Sequence, residues 1–435
     1  MRALNILWKL SFIIISIFSI VGSVSIETFV ESRISSSEDV LYIKKVVSQS
    51  INNSICLFDG INKTSKLHKN ASKLIIKNNN SELLISNKSN IIICNISVGL
   101  LVICNSTNIS ITNSKILGIK SMALHIVNSH NIIIEDSFIN GTITIHLSSK
   151  ITILSSNIST AWSHKPDIDA IKIINSSNII IDSNSVSNLY GNSVRIYNSC
   201  RVLLLHNAIF DPLYAIDIRY SENICIYNNT FTAPSSTRAE YLIYSYLSSN
   251  IKIKWNTIPK ETSSTITLSK SHIVELAYNR IYAFKVVDVS VSSIIFIHDN
   301  IMKGWYQIEL GGSTLVWILR NHFKEGGCCI SEPFVEVRYS ELVLVERNSI
   351  GSDFYTHVHY KVDNSKKVFI LYNTGVLRLV TKVDNSRDVY VLGKFLGIIN
   401  LDGVLLWFLC IHGAISYPLL IVYKARKSDR GNMGG

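Results

Sequence analysis

The sequence predicts an all-β protein wound as a parallel β-helix, and two regularities carry that prediction. The first is a repeat. If the residue before each apolar triplet is position 0, units begin at Asn90, Asn108, Asn131, Lys150, Asn178, Arg201, Asn223, Asn250, Ile273, Ile294, Leu315, Leu342, Lys367 and Asp388. Fourteen units follow one another without a gap, 18 to 28 residues apart. Position +1 is Ile or Val in every unit, from Ile91 to Val389, and position +3 is Ile, Leu or Val, from Ile93 to Val391. Position +8 is apolar in nearly all, as at Ile139, Val186 and Phe231. Alternation of this kind is a strand with one buried face. The stretch before each unit alternates too, as in SVRIY and FVEVRY. A unit this short cannot bury its own apolar face, but stacking it on the next one can. At about 4.8 Å per layer, about 14 turns make a rod roughly 65 Å long.

The second regularity is at position +6. It is Asn184, Asn207, Asn229, Asn256, Asn279, Asn300, Asn321, Asn348 and Asn373 in nine consecutive units, preceded by Ser114, Ser137 and Ser156. Asparagine tolerates unusual backbone angles at a bend, and stacked amides can hydrogen-bond along an axis. A structural ladder is therefore expected.

The flanking segments set the expected order of the chain. MRALNILWKLSFIIISIFSIVGSVS has basic residues, an apolar stretch and then small residues, the layout of a signal peptide over 1–25. Its alternative is an uncleaved anchor. Residues 26–86 lack the register and are expected to cap the β-helix with irregular first turns. The repeats occupy 87–394, followed by a juxtamembrane stretch over 395–402. Residues 403–423 are mostly apolar and long enough for a single transmembrane helix, and the basic tail 424–435 should stay cytoplasmic. The β-helix is then extracellular.

Asn-x-Ser/Thr sequons agree with that side. They occur at Asn52, Asn62, Asn70, Asn79, Asn87, Asn95, Asn105, Asn108, Asn140, Asn157, Asn175 and Asn228, and none follows. The 42 Lys+Arg exceed the 31 Asp+Glu to give a net charge of +11, part of it at the termini. No basic run is interleaved with aromatics, which argues against nucleic-acid binding. Among the eight cysteines, Cys94 with Cys104 and Cys200 with Cys225 are candidate stacked neighbours. No CxxC occurs and Cys328 adjoins Cys329, so no zinc site is expected.

The recurring S-x-N-I-x-I-x-x-N-x-I turn resembles the right-handed parallel β-helix superfamily of pectate lyases, polygalacturonases and carbohydrate-binding and sugar hydrolase repeat proteins. The resemblance covers about residues 87–394, implies the fold and its right hand, and says little of activity. Where polygalacturonases carry three catalytic motifs on successive turns, this chain keeps only Asp169, nine residues before Asn178. Gly191 and Asn192 stand in the second motif, and Leu213, Tyr214 and Ala215 in the third. Glycoside hydrolysis needs two cooperating carboxylates. Asp217 and Glu309 are the weak substitutes for the missing partner. A lyase would need clustered carboxylates and a base, for which Asp167, Asp169, Asp217, Lys172, Arg195 and Arg219 are the candidates. Against both stands the plain reading of outward strand positions with alternating charge that satisfy one another in solvent. His357 and His359 form a possible metal pair without further ligands, so neither metal nor cofactor is expected.

Position +2 points outward. It is mixed in early units and becomes Phe296, Trp317, Leu344, Phe369 and Tyr390 in the last five. A stacked apolar stripe of this kind marks a contact surface, unless a loop around 323–334 or 350–357 covers it. The expected function is that of a membrane-anchored cell-surface glycoprotein with a structural, adhesive or partner-binding role. Its partner would be a protein, a surface glycan or a second copy. The alternative is a carbohydrate-binding or polysaccharide-degrading protein acting outside the cell.

Overall fold

The computed structural model describes residues 77–393, except 120, 161–167, 189–190, 211–213, 233–240, 305, 325–332, 352–358 and 376–380. Four outlying strands are also described, Cys56–Leu57, Ser65–Lys66, Val404–Leu409 and Leu419–Lys424. The repeat unit becomes one turn of a coil. A triplet strand such as Ser177–Asp182 is followed by a short strand, Ser185–Ser187, and a long strand, Asn192–Tyr197. Each element pairs in parallel with its counterparts one turn before and one turn after. Ile151, Ile179, Val202, Ile224 and Ile251 thus stack as one column, and every triplet from Asn90 to Asp388 lies in the same sheet.

The alternation of the sequence explains the interior. Ile171, Ile173, Ile179, Ile181, Val186, Val194 and Ile196 have at most 1 % of their surface exposed. Each buried side chain of this size contributes about 1.5–3 kcal/mol relative to an exposed one.

Corners are made by residues with positive φ, and each turn has three of them, at positions −3, 0 and +5. In one turn they are Asn175 (φ 48°), Asn178 (φ 55°) and Ser183 (φ 57°). Asparagine adopts this left-handed region more readily than most residues, which accounts for its frequency at these positions in the first half of the chain. The expectation that the +6 asparagines take the bend angle is therefore corrected: +5 takes it, and +6 turns its side chain inward beneath the corner.

There the ladder forms. The Asn184 Nδ2 donates to the Ile153 carbonyl at 2.9 Å and to the Asn207 Oδ1 at 3.1 Å, and that same oxygen accepts from the Asn184 backbone N–H at 3.0 Å. The pattern recurs through Asn348, whose Nδ2 reaches the Asn373 Oδ1 at 2.9 Å. Upstream, the backbone N–H groups of Ser114 and Ser137 donate to the hydroxyls of Ser137 and Ser156, and that of Ser156 to the Asn184 Oδ1. A second ladder at position −2 has no counterpart among the sequence expectations. The Ser176 hydroxyl donates to the Ile174 carbonyl at 2.7 Å and accepts the backbone N–H of Ser148, and Ser199 does the same for Ser176.

The stack also begins earlier than residue 87. Lys77–Ser86 pairs in parallel with Ser97–Cys104, and Cys56–Leu57 pairs with the first triplet strand. Leu83 and Ile85 are buried like their downstream counterparts. The signal segment lies outside the described residues, as do Asn52, Asn62 and Asn70 and the side chain of Asn79. Within 403–423, the described backbone is not helical. Val404–Leu409 and Leu419–Lys424 pair as antiparallel strands, and no helix among the described residues is long and apolar enough to cross a membrane. A continuous apolar run carries no period to separate helix from strand, so length alone had favoured the helix.

Replacing Asn279 with Ala leaves the Ile253 and Ala277 carbonyls and the Asn256 amide without their partner. The expected loss is about 3 kcal/mol, read from denaturant unfolding. Serine at this site should lose less, because serine fills the same position in three upstream turns.

Candidate functional site

The carboxylates singled out by the sequence meet on the long-strand face. Register places Lys172, Arg195, Asp217 and Tyr244 in one outward column on successive turns, and Asp169 lies just before the first of these strands. Asp169 and Asp217 are each only 3 % exposed, so the cluster is not the solvated array that alternation implied. Arg195 bridges them, with Nη1 3.3 Å from the Asp169 Oδ2 and Nε 3.4 Å from the Asp217 Oδ2. The Arg219 Nε donates to the Asp217 Oδ1 at 2.8 Å, and the Asn192 Nδ2 donates to the Asp169 Oδ1 at 2.7 Å. Burial pushes the Asp169 carboxyl above the ordinary carboxylate range, against the opposing pull of Asn192 and Arg195. Gly191 is required locally, since a Cβ there would lie 2.1 Å from the Ile168 carbonyl oxygen.

A retaining or inverting hydrolase needs one carboxyl to protonate the leaving group and a second facing it across the bond. Here one guanidinium sits between the two carboxyls and binds both. The arrangement neutralises buried charge, and neither carboxylate faces an open partner. Glu309 lies further along the same face, tied to Lys285 at 2.7 Å and to Arg338 at 3.4 Å. His359 is buried against Phe334, and His357 and Asp167 lie outside the described residues. Among the described residues no group of three metal-ligating side chains occurs. Cys94, Cys104, Cys200 and Cys225 are free thiols. Register sets Cys200 beside Glu222 and Cys225 beside Leu203 and Lys252, which corrects the proposed pairing. Burial raises the Cys225 thiol to about 11, far from reactive.

The outward stripe is real in its geometry. Phe296 stacks on Trp317 with ring centroids 4.6 Å apart and planes 9° from parallel, and Phe369 stacks on Tyr390 at 5.0 Å and 7°. Leu344 lies between the pairs in register. All five side chains remain partly exposed. Because the stacking distance matches the layer spacing, the ring faces look along the rod and the ring edges look outward. A sugar packs against a ring face, so this stripe offers apolar contact rather than a saccharide platform.

Two aromatic groups escaped the sequence reading because their members come from different positions in different turns. Along a corner Trp255 stacks on Tyr278 with ring centroids 4.8 Å apart, and Tyr227 meets Trp255 at the same distance with its plane tilted by 52°. On the long-strand edge Tyr197, Tyr220 and Tyr246 meet edge to face, at 5.3 and 5.8 Å, beside Tyr244 and Arg219.

A third group links charges across turns. The Lys254 Nζ lies 2.8 Å from the Glu275 Oε1, which is 3.1 Å from the His298 Nε2. The His298 Nδ1 lies 2.7 Å from Asp299, which Arg320 holds with two hydrogen bonds. Both ring nitrogens of His298 face carboxylate oxygens, so the ring is held as imidazolium. Burial alone would lower its pKa, but the hydrogen bonds to Glu275 and Asp299 outweigh burial and hold it above the ordinary value. For Glu275, burial opposes His298 and Lys254, and the net is a carboxyl at about 2.

The sequon asparagines Asn87, Asn95, Asn105, Asn108, Asn157, Asn175 and Asn228 are exposed, most of them at bends, and Asn140 is partly exposed.

Comparison with known proteins agrees with the fold. Residues 98–258 match the family model described as a right handed beta helix region, and the fold is a right-handed parallel β-helix. No curated protein matches the chain. Similar solved structures include the surface adhesin PfbA of Streptococcus pneumoniae, 15% identical over 73% of this chain and 84% of that one, with a TM-score of 0.38. The periplasmic alginate epimerase AlgG is 11% identical over 70% and 76%, at 0.40. A DFA-IIIase from Arthrobacter chlorophenolicus A6 is 11% identical over 60% and 83%, at 0.40.

Two outcomes are expected. Arg195→Leu leaves the buried Asp169 without its ion-pair partner and Asp217 with Arg219 alone, and should destabilise the protein by about 3 kcal/mol, measured by denaturant unfolding. The His298 contribution is fully present below its ordinary pKa, about 6.5, and is lost as pH rises through the higher folded value. The stability difference between wild type and His298→Gln should therefore shrink as pH rises from 6 to 9. Taking the difference cancels the opposite contributions of His125, His322 and His359, whose pKa values burial lowers.

Proposed function

We propose that this β-helix is a surface-displayed binding rod, not a polysaccharide-cleaving enzyme. One observation carries the reading: the retained carboxylates Asp169 and Asp217 share one guanidinium, whereas the last five turns present a partly exposed apolar stripe. Chemistry is disfavoured where the family's catalytic groups would lie, and contact is favoured elsewhere. The exposed sequon asparagines between 87 and 228 support an extracellular glycoprotein whose glycans coat the half away from the stripe.

A second reading rests on the edge-to-face tyrosines. Tyr197 and Tyr220 are 42% and 46% exposed, and edge-to-face packing leaves ring faces open beside Arg219. A saccharide with acidic groups fits that chemistry.

The full chain, displayed on cells, should show crosslinks through the C-terminal turns that Trp317→Asp removes, and should release no product from acidic polysaccharides. Product formation abolished by Asp169→Asn would overturn the binding reading. Retention on a glycan array, lost on Tyr220→Ala, would establish the second reading instead.

A further inference from the structure

The apolar columns of the interior come into the open at the C-terminal end of the coil. Val337 and Val362 are at most 1% exposed, but Val383, next in the same column, is 43% exposed. Val345 and Ile370 are at most 3% exposed, and Val391 after them is 41% exposed. Val389 is only partly buried where Val368 before it is fully so. The backbone pairing stops at the same place. At the −3 corner the Asn198 N–H donates to the Arg219 carbonyl one turn on, and the Asn364 N–H to that of Asp384. Asn385 takes this corner in the last turn, with no further turn beyond it among the described residues.

An apolar end with an unpaired strand edge is a site for pairing with another segment, and this chain carries one with the matching need. Val404–Leu409 and Leu419–Lys424 form an antiparallel pair in a sheet of their own. Residues 403–423 contain no Asp, Glu, Lys or Arg. Opposite residues of an antiparallel pair share a face, so register sets Leu405, Trp407, Ile421 and Tyr423 on one side and Leu406 and Val422 on the other. Both sides are apolar, and a lone two-stranded hairpin is at best marginally stable in water. Two paired strands with open edges are equally unsuited to lipid, where every backbone group needs a partner. Burying one side of the hairpin against the open valines answers both deficits.

The geometry permits it. Ten residues, 394–403, join Gly393 to Val404, and that length reaches at most about 36 Å. A six-residue strand spans about 20 Å, so the hairpin can lie across the end of the coil. A tether this short gives it an effective concentration on the order of millimolar, which favours it over a second copy of the chain.

We infer that residues 404–424 are the C-terminal cap of the coil, folded across its open end to cover Val383, Val389 and Val391. The cap is independent of what the outward faces bind.

Hydrogen exchange of the full chain in lipid-free buffer tests this. Peptides covering 404–409 and 419–424 should exchange about tenfold or more slowly than a free hairpin would. Val391→Lys should abolish that protection while leaving the inner turns around Ile181 and Val202 unchanged. If nothing covers the end, the same substitution is a surface change and alters no exchange. Hairpin amides that exchange freely in the wild type overturn the inference, as does protection that survives Val391→Lys. Protection that appears only when phosphatidylcholine vesicles are added assigns the segment to lipid and overturns it too. Protection lost on dilution, with a dimer mass by light scattering, assigns the open end to a second copy instead.

Discussion

Every turn of this protein must take the chain around corners without leaving buried backbone groups unpaired, and the rest of the structure depends on how that is done. A bend interrupts the strand ladder, and the orphaned amide and carbonyl beneath it are shielded from water. Position +6 supplies a side chain that accepts from one turn and donates to another. Asparagine has both functions on a short stem, which is why it runs unbroken from Asn184 to Asn373. Serine serves at −2 by the same logic with one fewer donor. Both ladders run along the axis, so they also fix register: a slipped turn would place an amide over an apolar column.

This division of labour leaves the outward positions free to vary from turn to turn. The inward positions +1, +3 and +8 were legible because stacking demands the same kind of residue at each turn. Ile180, the middle of its triplet, is one of the positions the stack does not constrain; it stays partly exposed while Ile179 and Ile181 are buried. The carboxylate cluster was half legible. Alternation placed Asp217 and Arg195 outward, but nothing in spacing says that Arg195 would bridge two acids or that burial would be nearly complete. The tyrosine group was not legible at all, because Tyr197, Tyr220 and Tyr246 become neighbours only through a register that variable loop lengths conceal.

The apolar corner residues illustrate the same limit. Isoleucine at position 0 reads as one more residue of a hydrophobic run. Only the sign of φ shows that Ile273 and Ile294 occupy bends and that asparagine would sit there more easily. The apolar run near the C-terminus is the converse case. Its length was visible, but its secondary structure was not, since an unbroken run is compatible with either period.

Native-state hydrogen exchange tests most directly the claim that the buried corner ladder holds the coil together. The backbone N–H groups of Asn184 through Asn348, each donated to the next asparagine's Oδ1, should exchange in the slowest class, together with core residues such as Ile181 and Val202. Exchange at the rate of exposed turns, with the strands still protected, would contradict it.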